Sequence, residues 1–296
     1  MIAYNWVPGI LTLLILRFVH GFGWGASSTA SSTIASDIIP KSRLGEGMGY
    51  FGLTTTLSMA IAPALGLSIM NWYGFGSVFD LSALSVLLCV IISLFIRFHT
   101  SQPNPDARKA SIFEKAAVFP GMTIMFVTMT YGAIVSFIAL YAGQQGVENI
   151  GPFFTVYAIA LLVSRPLFGR LSDRKGYSIA VLPGILGVSI AMPILYFAYS
   201  LAGFVLAGFV YGIGFGAVQP ALQAMSVRDV PPARRGAANG TFFLGFDLGI
   251  GVGSIIWGAV AEITGYQVIY LWAIIPAAIA AIIYVGKGRL LSQKLK

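Results

Sequence analysis

Charge is what this chain has least of. Only 9% of its 296 residues are Asp, Glu, Lys or Arg, while 57% are apolar; soluble domains carry about 25% charged residues. So few charges cannot cover a soluble protein of this size, which excludes the soluble classes. Cysteine is all but missing. Cys89 stands alone in an apolar run, so there is no internal disulfide and no thiol pair for redox chemistry. Paired acids, metal-ligand clusters and nucleophile–base pairs are also lacking in the apolar runs, where Arg17, His20 and Asp247 are the ionisable groups expected at depth. No enzyme activity and no metal are predicted.

What is present fits a helical membrane protein. Mean hydropathy is +0.84, and 35 glycines suit close helix contacts in lipid. A net charge of +8 would suggest nucleic-acid binding in a soluble chain, but cations also collect on the cytoplasmic side of membrane proteins. Crossing the hydrocarbon core takes about 20 apolar residues. Nine such segments are predicted, over residues 9–34, 48–70, 76–96, 119–142, 151–169, 177–199, 201–226, 239–262 and 267–286.

The cations supply an orientation. Apart from Arg17, the Lys and Arg residues fall in alternate connections and at the C-terminus: Lys41 and Arg43; Arg97 to Lys115; Arg165 to Lys175; Arg228 to Arg235; and Lys287 to Lys296. These places are predicted to be cytoplasmic, with the C-terminus among them, in a multi-pass protein of the cell membrane. Residues 98–118 read as a cytoplasmic linker, in which Ser111 and Glu114 have the spacing of a capping box ahead of a short helix. The predicted organisation is a three-helix partial N-terminal half over 1–97, that linker, a six-helix half over 119–286 and a tail over 287–296.

Sliding the chain by 191 residues aligns its two ends. Phe18–Ala26 falls on Phe209–Ala217; Pro40, Arg43, Gly45 and Gly49 meet Pro231, Arg234, Gly236 and Gly240; Gly74 meets Gly265. The offset is unbroken across two spans and both copies run the same way, so the repeat is parallel. The middle three spans have no partner. The simplest reading is that roughly 80 residues, three helices of the usual length, are missing ahead of Met1.

Gly169-Arg170-Leu171-Ser172-Asp173-Arg174-Lys175-Gly176 is the densest charged stretch between two apolar runs. It resembles the Gly-x-Leu-x-Asp-Arg-x-Gly signature of the major facilitator superfamily, in its second-half copy. Arg17 with Gly21 and Gly23 resembles the fourth-helix pattern of that family. Ala62, Pro63 and Gly66 resemble its fifth-helix antiporter motif, with Ala62 in place of the first glycine and Leu67 where a closing glycine is usual. The resemblance implies an all-α membrane protein with that family's fold, nine transmembrane helices corresponding to its helices four to twelve, and the drug:proton antiporter branch.

It also implies roles. Asp173 would pack against a helix start of the opposite half, near Gly45–Gly49, because helix N-termini carry free N–H groups and partial positive charge. Gly169 and Gly176 would permit the approach. Asp37, Asp229 and Arg234 would join Arg170 or Arg174 in an ion-pair network. Arg17, about 12 Å into its span at 1.5 Å per residue, and His20 at i+3 would serve proton coupling. Asp247, deep in the second half, would exchange a proton. Trp24, Ser28, Tyr131, Gln219 and Gln223 are cavity candidates for amphiphilic or weakly cationic compounds. The glycine triplets 21/23/25 and 212/214/216 imitate a dinucleotide loop but sit inside helices, so no nucleotide is expected.

The function implied is proton-coupled efflux of small amphiphilic or drug-like compounds by alternating access. The expected partners are that substrate, protons and the lipid bilayer; no cofactor and no nucleic acid are expected. Two readings compete: a metabolite or sugar permease of the same superfamily, and a truncated membrane protein that transports nothing.

Overall fold

The computed structural model describes residues 1–95 and 112–294, without the side chains at 59, 60, 63, 64, 67 and 288–294. Among the described residues ten α-helices follow one another: α1 (Ile10–Ile38), α2 (Leu44–Tyr73), α3 (Phe75–Leu94), α4 (Lys115–Gln144), α5 (Gly151–Lys175), α6 (Ser178–Tyr196), α7 (Leu201–Val227), α8 (Arg235–Thr264), α9 (Tyr266–Trp272) and α10 (Ile274–Lys294). Among the described residues eight segments are long and apolar enough to cross a membrane, α9 and α10 counting as one. That differs from the expected nine. The difference is α2, a continuous helix of 30 residues whose mid-length side chains fall partly outside the description.

The repeat is visible in the backbone. With the 191-residue offset, α2 and α8 start and stop at equivalent residues, and α3 starts opposite α9. The turns agree too. Gly74 and Gly265 have φ/ψ of 85/169° and 84/165°, a left-handed conformation that only glycine takes readily. Short 3-10 turns over Lys41–Arg43 and Pro232–Arg234 lead into α2 and α8.

The main core lies in the second half, where α4 packs on α8 and α7 on α5 and α6. Small residues let these helices approach. A side chain on Gly249 or Gly253 would strike the α4 backbone, and one on Gly212 would strike Tyr157 and Ala160 of α5. The glycines of α1 do not pack in this way: a Cβ on Gly21 or Gly25 would meet nothing within 4 Å.

In the first half, α3 buries no residue and α1 buries only Ser32 and Ser36. Their outer faces carry Phe18, Phe22, Leu87 and Val90, surfaces that suit hydrocarbon. A second, small core of Leu44, Met48, Ala224, Val227, Val230 and Ala238 joins the two halves where α1 ends and α2 begins.

The charged signature is more helical than expected. α5 continues through Lys175, and only Gly176 (φ 89°) leaves the helix, its N–H donating to the Ser172 carbonyl at 2.9 Å. Basic residues in the last turn favour this continuation, because they offset the negative end of the helix dipole. The expected capping box falls partly outside the described residues. Glu114 is itself the residue before α4, its carboxylate accepting from the Ala116 N–H at 3.3 Å. Ser111 lies outside the described residues, and helix α4 begins at once, at Lys115.

Candidate functional site

The two halves meet where α2 crosses α5. Gly45 and Gly49 on α2 face Gly169 and Arg165 on α5. A Cβ on Gly45 would come 2.8 Å from the Gly169 carbonyl oxygen, and one on Gly169 would come 2.6 Å from that of Gly45. At this crossing the Asp173 carboxylate reaches the start of α2 and accepts two backbone N–H bonds, from Gly45 and Glu46, each 2.8 Å long. One side chain thus satisfies two of the free donors at a helix N-terminus, with its charge on the favourable end of the dipole. Beside it Arg170 pairs with Glu46 at 2.5 Å and lies within 3.4 Å of the Tyr50 hydroxyl.

The ion pairs differ from the expected network. Asp37, at the end of α1, pairs with Arg235 at 2.8 Å rather than with Arg170 or Arg174. Arg235 is buried and also donates to the Ser36 carbonyl at 2.9 Å, so α1 is tied to α8. Arg234 pairs with Glu114 at 2.8 Å, inside the second half. Asp229 and Arg174 make no ion pair among the described residues. The reason is geometric: α1 adjoins α8 and α2 adjoins α5, so Asp37 finds Arg235 and Glu46 finds Arg170. Close by, Arg228 lies over the Tyr177 ring at 5.5 Å, and burial raises the Tyr177 phenol to about 12.

A polar chain runs inward from this latch and crosses both halves. Arg165 donates to the Gly52 carbonyl on α2 and to Gln219 Oε1 on α7 at 2.9 Å. Gln219 donates to Gln223 at 3.3 Å, Gln223 to Ser32 on α1 at 2.7 Å, and Ser32 to Asn239 on α8 at 2.8 Å. All these side chains are buried. Nearness in sequence to Arg170 groups Arg165 with the surface cations. The structure instead buries it to 5% exposure. Beside it stands an aromatic group on α4, α5 and α7, with Tyr131 stacked on Phe215 at 5.4 Å and on Tyr157 at 6.3 Å.

Of the cavity candidates, Gln219 and Gln223 share the chain and Tyr131 lies in the aromatic group. Trp24 and Ser28 are not brought to them. Trp24 is exposed on α1, and Ser28 bonds the Trp24 carbonyl within its own helix at 2.8 Å. Arg17 and His20 also stand elsewhere, at the far end of α1, around Tyr4. The Arg17 guanidinium lies over that ring at 5.3 Å, and His20 Nδ1 is 3.2 Å from its hydroxyl. No acid pairs with Arg17 among the described residues. Asp247 sits on α8 next to Phe246, partly exposed and without a hydrogen bond among the described residues. The Ala62–Gly66 segment runs through unbroken helix. Ala62 is exposed, a Cβ on Gly66 would meet nothing, and the Pro63 side chain lies outside the described residues.

Comparison with known proteins agrees with this architecture. The family profile of the Major Facilitator Superfamily matches residues 1–154 and again 147–290. An uncharacterised MFS-type transporter of Methanocaldococcus jannaschii is 28% identical, over 95% of this chain and 76% of its own length. The uncharacterised MFS-type transporter YhhS of Escherichia coli K12 is 26% identical, over 94% of this chain and 68% of its own. The repeated helices, the latch between halves and these matches make the chain a multi-pass membrane protein that belongs to the Major Facilitator Superfamily.

Proposed function

We propose that the chain is a secondary active transporter that exports small amphiphilic compounds in exchange for protons, by rocking its two halves against each other. One observation carries the reading: the bonds between the halves gather at one end. Among the described residues, the inter-half hydrogen bonds and ion pairs draw on first-half residues 32 to 52, from Ser32 to Gly52. The rest of α1 makes none among the described residues. This is the form of a gate, shut at the basic end and released by breaking a small set of polar contacts.

With the basic end on the cytoplasmic side, this state faces outward. Asp173 on the start of α2 and Asp37 on Arg235 are its bolts. Asp247 stands on α8 away from the latch, partly open to its surroundings, and is the group to which we assign proton exchange. The antiporter assignment draws on Ala62, Pro63 and Gly66 and is tested by function alone. Reconstituted in vesicles, the chain is expected to move an amphiphilic dye against an imposed proton gradient. Flux that ignores the gradient, or its absence for every dye tried, refutes the reading.

A further inference from the structure

Arg165 is a buried cation without an acid. It lies ten residues before the end of α5 at Lys175, about 15 Å into the span at 1.5 Å per residue. No ion pair to it exists among the described residues. Its guanidinium carries five N–H donors. Two partners are seen, the Gly52 carbonyl and Gln219, while Nε is buried with no hydrogen-bond partner among the described residues. Both partners are neutral. An amide would serve them as well, so a mere tie between helices leaves the charge unexplained. A charge held in a low-dielectric interior without a counter-ion is costly, and it is offset when an anion arrives.

The surroundings describe that anion. Tyr131 and Tyr157 lie near enough to Arg165 to interact with it electrostatically, and Phe215 extends the same stack. Gly52, Arg165 and Gln219 come from α2, α5 and α7, so the site sits between the halves. We propose that Arg165 is the counter-ion of an anionic substrate: a carboxylate on a small aromatic or apolar body. The carboxylate meets the guanidinium fork, including Nε, and the body lies against Tyr131, Tyr157 and Phe215. The inference rests on the transport reading and turns its substrate class from weakly cationic to anionic. It also links binding to the gate, since an anion on the fork competes with the Gly52 carbonyl for Arg165 and loosens the tie from α5 to α2.

The test compares benzoate with benzylamine on the full chain purified in detergent, by thermal shift and calorimetric titration. Benzoate is expected to bind at least about tenfold more tightly, the scale of one good charged contact. Gln219→Glu supplies an internal carboxylate at the same place. It is expected to keep or raise the melting temperature while weakening benzoate about tenfold or more. Arg165→Lys is expected to keep the preference for benzoate with lower affinity, and Arg165→Gln to lose it. Equal binding of the two probes, or Gln219→Glu binding benzoate as the parent does, overturns the proposal. The two readings fail separately. Benzoate preference without proton-driven flux refutes the transport reading and supports the anion site, whereas flux of benzylamine but not benzoate does the reverse.

Discussion

Replacing Asp173 by Asn tests the gate at its smallest part. The carboxylate accepts two backbone N–H bonds at the start of α2. A hydrogen bond to a charged group is worth about 1.5–3 kcal/mol, a neutral one about 0.5–1.5, and a charge on a helix N-terminus adds about 0.3–1 kcal/mol. Asn keeps one acceptor oxygen of similar shape. It loses the charge and one bond, and turns an N–H toward a backbone N–H. Asp173 is only partly buried, so the lower part of the range applies. The expected loss is about 1.5–3 kcal/mol, which moves the closed-to-open equilibrium at the basic end roughly 10- to 100-fold.

A thiol reporter reads that shift. Cys89 is the single cysteine and is exposed on α3, so Cys89→Ser gives a silent background. Ser36→Cys then places a thiol at a fully buried position at the end of α1. When opening and closing are fast, the labelling rate follows the open population. Asp173→Asn is expected to raise the maleimide rate about 10- to 100-fold with helix content unchanged. Asp229→Asn, an exposed acid without an ion pair among the described residues, is expected to change it by less than about twofold. An unchanged rate in Asp173→Asn refutes the latch, as does an equal rise in both.

Five further substitutions have expected outcomes. Gly45→Ala puts a methyl 2.8 Å from the Gly169 carbonyl, so it is expected to part α2 from α5 and raise the same labelling rate at least as much as Asp173→Asn. Gly21→Ala, with nothing within 4 Å, is expected to leave rate and melting temperature alone. Asp247→Asn is expected to abolish proton-driven flux in vesicles while expression and labelling persist, and unchanged flux removes Asp247 from the mechanism. Arg235→Met removes a buried donor to Ser36 and Asp37 and is expected to destabilise by about 2–4 kcal/mol in denaturant unfolding. Asp37→Asn, at the more exposed partner of that pair, is expected to cost about 1 kcal/mol.

The sequence is most legible where the chain repeats itself. The offset that pairs Gly74 with Gly265 is the offset between two turns of the same left-handed geometry and between the starts of α2 and α8. Side-chain partners were harder to read. The positive-inside rule works on clusters, so it drew Arg165 into the group of Arg170, Arg174 and Lys175. Nothing local separates a cation on the last turn from one two turns earlier. The acids had the same difficulty. Asp37 and Asp173 lie at the ends of different helices, and which cation each meets depends on which helices adjoin. Arg17 kept its place in an apolar run, but its neighbour is the Tyr4 ring rather than an acid.

The polar chain shows what the repeat adds once the structure is known. Gln223 and Ser32 are 191 positions apart and bonded to each other at 2.7 Å. A residue touches its own repeat equivalent only on the axis that relates the two halves, so this bond marks that axis at the closed end. From Arg165 to Asn239 each side chain donates to the next, and bonds aligned in this way polarise one another. The charge on Arg165 therefore bears on the Gln223–Ser32 contact, on that axis. The same guanidinium holds the Gly52 carbonyl of α2, so one buried cation ties α5 to the first half twice, directly and through the chain that crosses the axis.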